Sequence, residues 1–202
     1  MNTQMMIRVS TTLVASALMI FTQPAAAAGD AEVGRQLGFT CLGCHGIEGQ
    51  RNAYPSFRVP RLGGQKSEYL ETALNAYRAG NRPHPTMQAQ ARSMSDDDIE
   101  NLVAWLASFG EAADTATADQ VAGAAAAQIC VTCHGVAGNA VVPQPPILAG
   151  QQKDYLLHAL HQYKDGTRSS NVMGAFAVTL SEADMELIAG FYADQDGVKT
   201  LD

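Results

Sequence analysis

Apolar residues recur with helical spacing in two stretches of the chain. Over residues 67–79 they fall at Tyr69, Leu70, Ala73, Leu74 and Tyr77, on one face of a helix, and the run stops at Gly80. Residues 153–165 repeat the pattern with Tyr155, Leu156, Ala159, Leu160 and Tyr163, and stop at Gly166. Glycine suits the position just beyond a helix C-terminus. A further helix is predicted to start at Ser95, followed by Asp96, Asp97 and Asp98, and again at Ser181, followed by Glu182 and Asp184. Serine is a good N-cap, and acids in the first turn suit the helix dipole. No convincing alternation of period two marks a strand, so the pattern predicts an all-α protein.

The two stretches belong to a longer internal repeat. Gly34, Cys41, Cys44, His45, Gly46 and Gly49 recur 89 residues later as Gly123, Cys130, Cys133, His134, Gly135 and Gly138. From Pro60 onwards the offset is 86: Leu62, Gln65, Tyr69, Arg82, Met87 and Ser95 recur as Leu148, Gln151, Tyr155, Arg168, Met173 and Ser181. Three extra residues after His45 account for the change. Self-similarity at a fixed period means two copies of one structural unit. Residues 29–110 are read as the first unit and 121–202 as the second. The small, acidic stretch 111–120 between them reads as a linker. A unit of this size is marginal for a core of side chains alone. Gly34 and Gly123 fall inside the first helix of each unit, where glycine costs stability. Their recurrence predicts a close crossing of first and last helices, with Trp105 and Phe191 packing across it.

Composition adds a compartment and a polarity. Residues 1–28 contain one charged side chain, Arg8, then an apolar run from Leu13 to Phe21 and a small-residue stretch ending at Ala28. That order predicts a cleaved secretory signal peptide and export to the periplasm. The apolar run is short for a bilayer span. Of the net charge of −7, residues 29–110 hold eight Lys and Arg against nine acids, and residues 111–202 four against eleven. So acidic a protein is not expected to bind nucleic acid. The asymmetry could steer a protein partner, and simple solubility explains it equally well.

The chemistry is concentrated at Cys41-Leu42-Gly43-Cys44-His45 and Cys130-Val131-Thr132-Cys133-His134. Cys-x-x-Cys-His is the attachment signature of a c-type haem. Two thiols one helical turn apart can add to the two vinyl groups of one porphyrin, and the adjacent histidine then reaches iron. A redox-active dithiol needs no histidine and does not explain a second copy. One zinc bound by all four cysteines would leave His45 and His134 without a role. These motifs use every cysteine in the chain, so thioethers are expected rather than disulfides. The expected cofactors are two covalently attached haem c groups.

Iron bound by histidine needs a sixth ligand or an open site. Met87 and Met173 lie eight residues before Ser95 and Ser181, in what reads as a loop between helices, at the offset of the repeat. Met94 and Met185 match Leu180 and Ile99 and read as core. His84, His158 and His161 match Ser170, Thr72 and Asn75 and do not repeat. The expected axial ligands are therefore His45 with Met87 and His134 with Met173, a set that raises the reduction potential and closes the iron to small molecules. Pro60 and Pro146 offer a carbonyl to each histidine. Arg82 and Arg168 are read as propionate or interdomain contacts. No catalytic residue is assigned, and the protein is not expected to be an enzyme.

With these residues in place, the chain resembles the dihaem cytochrome c4 family, two class I cytochrome c domains in tandem. The resemblance covers residues 29–202. It rests on both Cys-x-x-Cys-His-Gly motifs, on Leu148-Ala149-Gly150-Gln151 and its variant Leu62-Gly63-Gly64-Gln65, and on Tyr155-Leu156-Leu157. Lys164-Asp165-Gly166-Thr167-Arg168 and Met173 followed by Leu180-Ser181 add to it. The first copy departs at Ala79-Gly80-Asn81-Arg82. The resemblance implies His/Met ligation, a proline carbonyl behind each histidine and a pseudo-twofold arrangement with the haems close together. It implies a periplasmic shuttle of single electrons between respiratory complexes, such as a quinol-oxidising complex and a terminal oxidase. At most, membrane association would be peripheral. A dedicated cytochrome subunit serving a periplasmic dehydrogenase is the alternative.

Overall fold

The computed structural model describes residues 29–110, 125–140 and 142–202. The signal-peptide segment, the linker and Gly123 lie outside the described residues. Five helices make the first unit: α1 Ala31–Leu37, α2 Phe39–His45, α3 Ser67–Arg78, α4 Pro85–Ala91 and α5 Asp96–Ala107. In the second unit a 3₁₀ turn, Ala125–Ala127, leads into α6 Gln128–His134, followed by α7 Lys153–Lys164, α8 Asn171–Ala177 and α9 Glu182–Ala193. Helices α3, α4 and α5 recur as α7, α8 and α9 with every boundary displaced by 86 residues, the offset read from the sequence. Among the described residues there is no strand, only two isolated bridges, Arg51 with Arg58 and Gly63 with Lys199.

The ends of these helices form for the anticipated reasons. Ser95 and Ser181 each make a capping box, in which the serine oxygen accepts from Asp98 or Asp184 N–H and the aspartate returns the bond. Gly80 and Gly166 adopt φ of 80° and 78°, the left-handed region that lets a helix end in one residue. The structure differs from the sequence reading at the methionines. Met87 and Met173 sit in the first turn of α4 and α8, not in open loop, because His84 Nδ1 and Ser170 Oγ each cap the turn by accepting the methionine N–H at 3.2 Å. His84 and its unlike counterpart Ser170 thus perform one task.

α1 crosses α5, and the crossing explains Gly34. A Cβ built there would lie 1.9 Å from Asn101 O and 2.9 Å from Trp105 Cβ. Gly38, between α1 and α2, is equally constrained by the Trp105 ring at 2.1 Å. Each unit has its own core. Leu70, Leu74, Ile99, Leu102, Val103, Trp105 and Leu106 fill the first; Leu156, Leu160, Met185, Ile188, Ala189 and Tyr192 fill the second. Met94 packs at the edge of the first core, as expected.

The units meet along a pseudo-twofold axis. Gln65 donates to Ile147 O at 3.0 Å and accepts from Ile147 N–H at 2.8 Å. Gln151, its repeat, does the same to Arg61, at 2.9 Å both ways. Each glutamine is buried and reads one backbone residue of the opposite unit as a strand partner would. The three-residue insertion breaks this symmetry. Arg51 pairs with Asp154 at 3.0 Å, and Arg58 donates its backbone N–H to the same carboxylate at 3.1 Å, tying the inserted loop to the start of α7.

Candidate haem sites

Each unit encloses a cleft where the expected ligands converge. Cys44, His45, Leu70, Leu74 and Met87 line the first. Cys130, Cys133, His134, Leu156, Leu160 and Met173 line the second. The helices position these groups by simple means. α2 and α6 place two cysteines one turn apart with the histidine next, and α4 and α8 bring the methionine to the same cleft. None of the four cysteines is in a disulfide; Cys44 and Cys133 are exposed, and Cys41 and Cys130 are half-buried. Burial pushes the Cys130 thiol up to about 11 and raises that of Cys41. A buried thiol of raised pKa is a poor redox-active thiolate, which argues against a dithiol role for these motifs.

The two histidines share one hydrogen-bond arrangement. His45 Nδ1 lies 2.7 Å from Pro60 O, and His134 Nδ1 lies 3.0 Å from Pro146 O. A carbonyl can only accept, so Nδ1 carries the proton and the Nε2 lone pair is free to bind a metal. Burial lowers the pKa of both rings, against the opposing pull of the proline carbonyls. Each is therefore neutral at physiological pH, the form a metal requires. The proline carbonyls expected from the sequence are present in both units.

The clefts share a wall. Tyr69 lines both, and so does Arg82. At that wall Arg82 Nη2 donates to Tyr155 OH of the opposite unit at 2.7 Å, and Arg168 Nη2 donates to Tyr69 OH at 3.0 Å. The guanidinium of Arg82 also covers the Tyr77 ring at 4.6 Å, and that of Arg168 covers Tyr163 at 4.5 Å. Both arginines are 8 % exposed, and among the described residues neither is in an ion pair. Two buried cations facing one another without a carboxylate are costly unless an anion joins them. Tyr69 registers this excess charge. Burial opposes its ionisation, yet Arg82 and Arg168 outweigh it and hold the phenol below its ordinary value. The wall is electropositive and suits carboxylates entering from either cleft, and haem propionates are such groups. The residues present therefore fit the group that the motifs call for. Sequence reasoning offered these arginines two roles, and the interdomain contact is the one formed here. It did not find the crossed pairing with the tyrosines, whose only signal was recurrence on the α3 and α7 faces.

The cytochrome c family's sequence model matches residues 31–110 and again 120–196. A thiosulfate dehydrogenase electron acceptor from Stutzerimonas stutzeri is 34% identical over 170 residues, spanning 76% of this chain and 78% of its own. A cytochrome c4 from the same species is 32% identical over 196 residues, spanning 84% and 91%. The crystal structure of reduced cytochrome c4 from Pseudomonas stutzeri superposes with a TM-score of 0.69 at 25% identity, over 84% of this chain and 100% of that one. The chain belongs to the cytochrome c family, as a tandem two-domain protein of the cytochrome c4 type that carries two covalent haem c groups and transfers electrons.

Proposed function

We propose that this protein is a periplasmic single-electron carrier between respiratory complexes, delivering towards a terminal oxidase. Cys41 and Cys44 hold one haem by thioethers, and Cys130 and Cys133 the other. His45 with Met87, and His134 with Met173, would bind the iron of each haem. Haem held in this way would supply one-electron Fe(III)/Fe(II) chemistry, with a thioether ligand favouring the reduced form. The chain's own residues supply the rest. Pro60 and Pro146 fix the imidazole tautomer, the cores exclude water, and Arg82 and Arg168 neutralise anionic groups at the shared wall. The observation that carries this reading is the duplication of the whole ligand set, methionine included, which leaves neither iron an open position and so favours a carrier over an enzyme. Cyanide added to the resting protein should bind slowly at both haems. Fast, stoichiometric binding at either would overturn the carrier reading.

A second reading has support of its own. A relative spanning most of this chain is named a thiosulfate dehydrogenase electron acceptor, so a periplasmic dehydrogenase is a candidate donor. Purification from native membranes and periplasm separates the two. A stable stoichiometric complex with a catalytic subunit would establish the dedicated-subunit role, whereas a free protein that is reoxidised by an oxidase-containing membrane fraction supports the shuttle.

A further inference from the structure

Residues 198–202 cross from the second unit to the first. Val198 still donates its N–H to Ala149 O at 2.9 Å and is buried beside Ile147 and Ala149. One residue later, Lys199 exchanges two backbone hydrogen bonds with Gly63, both 2.9 Å. Gly63 and Ala149 are equivalent positions of the repeat, so this segment runs between the two copies of one loop and holds each. Thr200 hydrogen-bonds Glu48. Leu201 is 1 % exposed within the first unit's core, and its N–H reaches His45 O at 3.1 Å.

His45 is the final residue of α2, so its carbonyl has no partner inside the helix. Its ring hydrogen-bonds Pro60 O, three residues before Gly63. The segment therefore holds the histidine at two places, directly by its backbone and indirectly by the loop that carries its ring acceptor. The second unit closes the equivalent corner differently. Gly135 has φ 80° and packs against its own Asn139 carbonyl, where a Cβ would come within 2.6 Å. Gly46 has φ −95° and abuts Leu201 O, which would lie 3.1 Å from an added Cβ.

We infer that residues 198–202 are a positioning strap through which the second unit sets the orientation of His45, with Leu201 as the anchoring residue. The inference rests on the reading of His45 as an iron ligand. It makes the first haem site dependent on the second unit, while the second site closes itself. A histidine N–H held firmly on a carbonyl strengthens the ring as a donor, so loosening residues 199–201, the part of the strap that reaches the first unit, changes the first haem, while Val198 still holds the second unit's own loop at Ala149.

The test uses the full-length, haem-loaded protein and four variants. Leu201→Ala removes the anchor. Lys199→Pro removes the N–H that binds Gly63 without opening the core. Lys199→Ala keeps the backbone bonds, and Leu201→Met keeps the core volume. NMR follows solvent exchange of the two ligand-histidine Nδ1 protons, and spectroelectrochemistry follows both midpoints. Leu201→Ala and Lys199→Pro should speed exchange at His45 by about tenfold or more, the expected result of local opening, and displace the first midpoint. His134 and the second midpoint should stay put, and Lys199→Ala and Leu201→Met should match the parent. Equal changes at both haems, or none at His45, would overturn the strap. If Leu201→Ala does not fold, Lys199→Pro decides alone. A parent protein lacking an iron-bound His45 signal would instead overturn the ligand reading itself.

Discussion

Met87 and Met173 illustrate how much one side chain decides here. Each stands at the third position of a short helix capped by the preceding His84 or Ser170, so its thioether is presented by a fixed turn rather than a mobile loop. Met87→Ala and Met173→Ala should each abolish one of two sulfur-to-iron absorption bands, and the double variant both. Retention of both bands in the double variant would refute the ligand assignment. The histidines carry a pH dependence. Burial lowers both His45 and His134 below the ordinary value, and a ring whose Nε2 was on iron would take up no further proton, so the unfolded chain binds more protons than the folded one. Stability should be full above the unfolded histidine value of about 6.5 and decline as pH falls below it. Acid unfolding followed at several pH values should show this sign, and a midpoint independent of pH between roughly 5 and 7 would contradict it.

At the scale of elements, the α1–α5 crossing is the most demanding contact in the first unit. Alanine normally improves a helix over glycine by roughly 1 kcal/mol. Gly34→Ala should nevertheless destabilise, by about 1–3 kcal/mol, because the new methyl overlaps the Asn101 carbonyl. Gly43 provides the contrast, as it lies within α2 with nothing within 4 Å of an added Cβ. Gly43→Ala should be neutral or stabilising by up to about 1 kcal/mol. Denaturant unfolding of the two variants side by side tests the pair. The helices themselves were legible in the sequence because each is amphipathic and its ends are marked by residues with one structural use: Ser95 and Ser181 at the starts, Gly80 and Gly166 at the stops. The short helices bearing the methionines were not, because seven residues give too few turns to show a period, and His84 is a rare cap.

At the scale of the whole molecule, backbone recognition ties the two units together. Gln65 and Gln151 each satisfy one N–H and one C=O of the opposite unit. Gln65→Glu removes the donor and buries a charge, which should cost about 1–3 kcal/mol and uncouple the units. Thermal unfolding of the haem-loaded protein should then separate into two transitions where the parent shows one. The shared wall adds a second bond between the halves. With Arg82 and Arg168 both buried, Arg82→Leu should shift both midpoints, because Arg82 lines both clefts. A change confined to the first haem would contradict a shared wall.

The sequence by itself determined the cofactor chemistry, the duplication, the helical class and the candidate ligands. These are local properties: a five-residue motif, a repeat offset, a period of 3.6 and a methionine at a fixed distance from a cap can be read without knowing what lies opposite. Tertiary structure alone decided the crossed Arg82–Tyr155 and Arg168–Tyr69 pairing, the reciprocal glutamines and the passage of Leu201 into the other unit's core. Each joins residues at least 73 positions apart. Such contacts follow from how two folded units are placed against each other, and no local spacing encodes that placement.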